Sequence, residues 1–220
     1  VADTTAKKER PPLLFSLVEL QKMAARKGYS PDEVLSAAQA LYEKHKLTSY
    51  PRTECQFAPE SEHLKAEYVI QHVVRNFAGT WTPAPGWDPS RKSAAWDDKK
   101  LTEHFAIIPL PTSCPVSALS RAERDVYRLV CRQYLAQFFS PFEFMATTLE
   151  VQVLDERFRA TGRLPTVVGW RALYGGIEAI QQKGADPDSD EQISLPAVRK
   201  GAIGTAGPIE LETKKTKAPN

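Results

Sequence analysis

The chain has 220 residues, 42% of them hydrophobic and 25% charged, with a formal net charge of +2. This is the composition of a soluble globular protein with one large or two small domains. No apolar run is long enough to span a membrane, no signal-peptide pattern opens the chain, and near-neutrality argues neither for nor against a nucleic-acid partner. Cys55, Cys114 and Cys131 are too few and too dispersed for a zinc site, and their odd number does not suit a disulfide framework, so a reducing cytoplasm is the expected compartment. Val1 and the tail Lys214-Lys215-Thr216-Lys217 read as ends cut from something longer.

Residues 1–10 are polar and read as an incoming linker or extended segment ahead of Pro11-Pro12. Residues 11–141 read as a helical domain. Ser16 and Glu19 have capping-box spacing and start a helix whose apolar face carries Leu17, Leu20 and Ala24, ending at Gly28-Tyr29. Ser30, Pro31 and Glu33 open a second helix, with Val34, Leu35, Ala38, Leu41, Tyr42 and His45 at helical spacing. The pair has helix-turn-helix or winged-helix-like character, and its second member runs directly into Leu47-Thr48-Ser49-Tyr50-Pro51-Arg52-Thr53-Glu54.

A third helix is expected from Glu60 to Phe77, then a long loop over 79–96 holding Trp81, Trp87 and Trp96. Aromatic rings there could stack on bases or pin the loop to the domain; Trp96 reads as an anchor. Ser120 with Glu123 opens a largely buried helix that Ser140-Pro141 stops. Beyond it the period changes to that of strands. Met145–Leu154 and Arg157–Gly162 flank a turn at Asp155-Glu156, and Thr166–Val168, Ile193–Val198 and Ile209–Thr213 read as further short strands. The fold class is α+β, a helical domain followed by a β-rich segment over 142–217. Asp186-Pro187-Asp188-Ser189-Asp190 lies in a polar, proline-containing loop and reads as solvated rather than metal-binding.

The chemistry centres on Tyr50. Pro51 forces Tyr50 out of helical geometry, and Arg52 supplies a guanidinium able to pair with phosphate oxygens. Taken alone, these residues read better as a buried tyrosine in a tight turn beside an ordinary surface arginine. The wider segment Leu41–Glu54 resembles the active-site tyrosine segment of type IA DNA topoisomerases. Trp96-Asp97-Asp98-Lys99-Lys100 followed by His104-Phe105-Ala106-Ile107-Ile108-Pro109 resembles the second signature of that family in its bacterial and plasmid topoisomerase III branch. Pro12–Leu17 and Gly169–Tyr174 resemble flanking stretches, so the likeness covers most of residues 11–175. Glu54-Cys55, Phe105 and Leu110 depart from the family pattern.

The resemblance implies a central portion of an enzyme that cleaves and reseals one DNA strand through a transient 5′-phosphotyrosine link, without ATP. It implies Tyr50 as nucleophile and Arg52 and His104 as phosphate-handling catalytic residues. Lys46, Ser49 and Thr53 are candidate nucleic-acid contacts, with capping or turn roles explaining the two hydroxyls equally well. Mg²⁺ would be held by an acidic triad in a domain of the same protein outside this chain, with no metal site within it. The β-rich segment would belong to an arch whose other half is absent, leaving it short of strand partners. The expected partners are single-stranded DNA and that acidic domain, with no membrane and a monomeric chain, in a bacterial, nucleoid-associated setting. A non-catalytic helix-turn-helix module binding duplex DNA is the alternative. A tyrosine relaxase would need a histidine cluster that His45, His63, His72 and His104 do not form at recognisable spacing.

Overall fold

The computed structural model describes residues 2–175, 195 and 201–204. Among them the order is β1 (Ala2–Glu9), α1 (Leu17–Ala25), α2 (Pro31–Glu43), α3 (Glu60–His63), α4 (Ala66–Asn76), α5 (Arg121–Ala136), β2 (Phe142–Val153) and β3 (Glu156–Val167). A helical unit is thus followed by an antiparallel, three-stranded sheet of order β1-β2-β3. The strands expected at 193–198 and 209–213, and the acidic loop at 181–192, lie outside the described residues apart from Leu195.

The caps form where the sequence puts them, with one difference. Ser30/Glu33 and Ser120/Glu123 make complete capping boxes. At Ser16 only half of the box exists: its hydroxyl accepts from the Glu19 N–H at 3.4 Å, while the Glu19 carboxylate takes Lys22 at 2.7 Å instead.

The helix expected over 60–77 is broken at Leu64-Lys65 into α3 and α4. Its apolar phase begins only at Ala66, and Leu64 is exposed. The first turn is tied elsewhere: the Asp98 carboxylate accepts from the Glu60 N–H at 2.9 Å, and His63 Nε2 bonds the Arg91 carbonyl at 3.0 Å.

The core is built around α5, which buries Val126, Tyr127, Leu129, Val130, Cys131, Tyr134 and Leu135 against α1 and α2. Trp96 is buried edge-on to Tyr134 at 5.8 Å, and the backbone of Ala58 bridges to it, so this tryptophan does anchor the second motif. Trp81 also packs inward, edge-on to Phe77 at 5.1 Å.

Residues 2–9, read from sequence as a linker or extended segment, pair along β2. Every described side chain of β1 is polar or exposed, so no apolar alternation could announce the strand. Cross-strand partners hold it instead: Thr4 with Thr147 at 3.1 Å and Lys8 with Glu143 at 2.8 Å. The shortage of strand partners expected of this segment therefore does not apply to β2, which is paired on both sides. The hairpin turns at Leu154-Asp155, one residue earlier than expected, with Leu154 at φ 55. The stretch Thr166–Val168 is not a separate strand; β3 continues through Val167 over an irregularity opposite Glu143/Phe144, where Pro165 offers no N–H.

Two features locate stability. Gly169, at φ +50, sits so close to the carbonyl oxygens of Ser140 and Pro141 that a Cβ would strike both. Gly169→Ala should lower unfolding free energy by about 1–3 kcal/mol, seen as a drop in thermal midpoint by circular dichroism. The Glu123 carboxyl is pushed up by burial, but this is outweighed by the Ser120 N–H and hydroxyl and by His45, which hold it below its ordinary range. A depressed carboxyl stabilises above its unfolded pKa and loses that contribution as pH falls through its folded value. The stability gap between wild type and Glu123→Gln, measured by urea unfolding, should be open at pH 7 and close in the acid range, below about pH 4.3.

Candidate active site

Tyr50 stands just past α2, on a loop stitched to the segment 104–110. The Ser49 N–H donates to the Ile108 carbonyl at 2.9 Å, the Ser49 hydroxyl donates to the Ala106 carbonyl at 2.8 Å, and that hydroxyl accepts from the Ile108 N–H at 2.9 Å. The Leu110 N–H donates to the Leu47 carbonyl at 2.8 Å, and the Thr112 hydroxyl to the Lys46 carbonyl at 2.7 Å. Lys46 takes φ 55 to make the turn out of the helix. On the far side, the Thr53 hydroxyl donates to the His104 carbonyl at 3.2 Å and accepts from the Cys55 N–H at 3.0 Å. The segment is also bound from behind, where the Ile107 N–H donates to the Phe15 carbonyl and the Ala106 N–H to the Phe57 carbonyl, both at 2.8 Å.

This lacing brings together residues far apart in the chain. The Tyr50 ring is half-buried and lies 4.5 Å, centroid to centroid, from the ring of exposed His104. Arg52 is exposed and donates from Nη2 to Gln39 Oε1 at 3.2 Å. Lys46 is exposed, its ammonium 5.7 Å above the Tyr42 ring. Ser49 and Thr53 differ from the other candidates: they are 6% and 4% exposed, and their hydroxyls are engaged with backbone. Their place in this geometry is to hold the loop rather than to face solvent.

Two further residues border the site: Tyr42, inside the segment that carries the likeness but given no role by it, and Gln39, just ahead of that segment. Tyr42 meets the Tyr50 ring edge-on at 5.6 Å, and Gln39, one turn earlier on α2, holds Arg52. Their helical spacing, just ahead of a tyrosine in a proline turn, was the available clue. Among the described residues, no three His, Cys, Asp or Glu side chains come together as a metal site. The described residues therefore offer no set of carboxylates suited to Mg²⁺.

A family model described as DNA topoisomerase matches residues 1–220. The chain belongs to the DNA topoisomerase family. Within that family it is similar to DNA topoisomerase 3 of Pasteurella multocida, with 36% identity over 96% of this chain and 31% of that protein. It is likewise similar to DNA topoisomerase 3 of Bacillus subtilis, with 33% identity over 98% of this chain and 29% of that one. The topoisomerase III likeness read from the motifs is borne out by these relatives, of whose length the chain spans under a third. A solved structure of full-length topoisomerase I from Thermotoga maritima shares the fold, with a TM-score of 0.56 and 20% identity over 79% of this chain and 29% of that one.

Removing the Ser49 hydroxyl would leave the buried Ile108 N–H without its acceptor and the Ala106 carbonyl without its donor. Ser49→Ala should cost about 1–3 kcal/mol, measured by urea unfolding of the chain.

Proposed function

We propose that this chain carries the strand-cleaving centre of a type IA DNA topoisomerase of the topoisomerase III branch. The observation that supports it most is the Tyr50 ring lying 4.5 Å from that of exposed His104, which comes from a separate motif, with exposed Arg52 two residues along the same loop. In this reading Tyr50 Oη attacks a phosphodiester of single-stranded DNA. The Oη–P bond forms, the P–O3′ bond breaks, the phenol loses its proton and the departing 3′ oxygen gains one. Reversal by the 3′ hydroxyl reseals the strand, and because one phosphodiester replaces another, no ATP is consumed. A phenolate leaves more readily than an alkoxide, which keeps the linked state reversible.

Arg52 supplies positive charge and a planar fork of donors for the scissile phosphate, and His104 a contact beside it. Lys46 extends the charged track along the strand. Ser49 and Thr53 act indirectly by fixing the loop. The helical unit then serves as the tyrosine domain and the β1-β2-β3 sheet as part of the arch. Mg²⁺ and its acidic ligands are assigned to a domain outside the described residues, and the setting is the bacterial nucleoid. For the duplex-binding alternative, Gln39 on the outer face of α2 is already committed to Arg52.

The test uses the full-length protein with a single-stranded oligonucleotide and Mg²⁺, followed by denaturation. A 3′-end label should travel with the protein and a 5′-end label should be released. Tyr50→Phe should abolish the adduct and Arg52→Ala should slow its formation by about a hundred-fold. The 220-residue chain alone should give almost none. Attachment of the 5′ label, or an adduct that survives Tyr50→Phe, would overturn the assignment.

A further inference from the structure

The outer side of α2 touches both Tyr50 and Arg52. Gln39 and Tyr42 lie one turn apart, both half-buried, at the margin of the core rather than in it. Gln39 is the middle of a polar chain: Arg52 Nη2 donates to its Oε1 at 3.2 Å, and its Nε2 donates to Glu43 Oε1 at 3.1 Å. That chain fixes which way the amide faces, with the oxygen toward the guanidinium. It uses one of the five N–H donors of Arg52 and leaves others for a phosphate. Tyr42 meets Tyr50 at an interplanar angle of 83°, the edge-to-face arrangement favoured by ring quadrupoles. With His104 on Tyr50 at 4.5 Å, the Tyr50 ring has an aromatic neighbour from α2 and another from the 104–110 segment.

We infer that Gln39 and Tyr42 are positioning residues for the strand-transfer reaction, Tyr42 setting the approach of the Tyr50 phenol and Gln39 aiming the Arg52 guanidinium at the phosphate. The inference rests on the reading of Tyr50 as nucleophile given above. Neither residue bonds to DNA in this account; each acts through its neighbour. The rigidity comes from α2 itself, capped at Ser30 and buried through Val34, Ala37, Ala38 and Leu41.

The test compares Tyr42→Leu, Tyr42→Phe and Gln39→Met in the full-length protein. Leu and Met are good helix formers, so α2 should persist, and thermal midpoints check this. The readout is the single-turnover rate of covalent adduct formation. It is set beside the affinity for the same oligonucleotide, measured by fluorescence anisotropy in a Tyr50→Phe background. Tyr42→Leu and Gln39→Met should each slow adduct formation by about ten- to a hundred-fold, with affinity changed less than about twofold. Tyr42→Phe keeps the ring edge and should retain the wild-type rate, which a role for the Tyr42 hydroxyl would not allow. Unchanged rates in Tyr42→Leu and Gln39→Met, while Tyr50→Phe remains inactive, would overturn this inference and leave the nucleophile assignment standing. A parallel loss of affinity and rate would also overturn it, by making these residues DNA contacts. A wild-type protein that forms no adduct would instead remove the nucleophile reading itself.

Discussion

The buried hydroxyl of Ser49 is the constraint on which the site depends. It donates to one carbonyl and accepts from one N–H of the same segment, Ala106 and Ile108, while the Ser49 N–H reaches the Ile108 carbonyl. Three short bonds at a single residue leave the Tyr50 loop little freedom to slide along its neighbour. A buried backbone pair satisfied this way strongly resists opening, since each group exposed without a partner costs more than the bond appears to contribute. Tyr50 and Pro51 inherit their place from this anchor on one side, and Thr53, bonded to the His104 carbonyl, supplies it on the other.

Polar contacts tie α5 to the Pro12-Leu13 entry segment and, through the stretch Gly169–Tyr174, to the end of β1. Gln137 Nε2 donates to the Pro12 carbonyl at 2.7 Å, and Gln133 Nε2 donates to the Leu13 carbonyl. The Tyr174 hydroxyl, its pKa pushed up to about 12 by burial despite the nearby Arg132, stays protonated and donates to Gln133 Oε1 at 2.6 Å. Arg171 pairs with Glu9 at 2.9 Å, and Trp170 Nε1 donates to the Glu9 carbonyl at 3.1 Å. The stretch Gly169–Tyr174 thus serves as a clasp closing the end of β1 onto the base of α5.

Much of the helical part was legible because local chemistry and burial agree there. Ser30, Pro31 and Glu33 state where α2 begins, Ser120 and Glu123 where α5 begins, and the apolar spacing says which faces are covered. Tyr50, Arg52 and His104 were singled out through the resemblance of two motifs to one family, not through local chemistry alone. What could not be read was set by partners distant in sequence. The strand β1 has no apolar face and exists through its pairing with β2. The break at Leu64-Lys65 depends on Asp98 and Arg91, and the buried duties of Ser49 and Thr53 depend on carbonyls more than fifty positions away, which no local pattern reports.

The junction at Ser140-Pro141 has a mechanical meaning. α5 ends at Ala136 and β2 starts at Phe142, so only five residues separate helix from strand. The β2–β3 hairpin projects twelve residues from that point, roughly 40 Å of extended chain. Gly169 against the Ser140 and Pro141 carbonyls and the Arg171–Glu9 clasp fix the hairpin at its root. The root of the hairpin thus adjoins α5, and α5 packs against α2, the helix that leads into the Tyr50 loop.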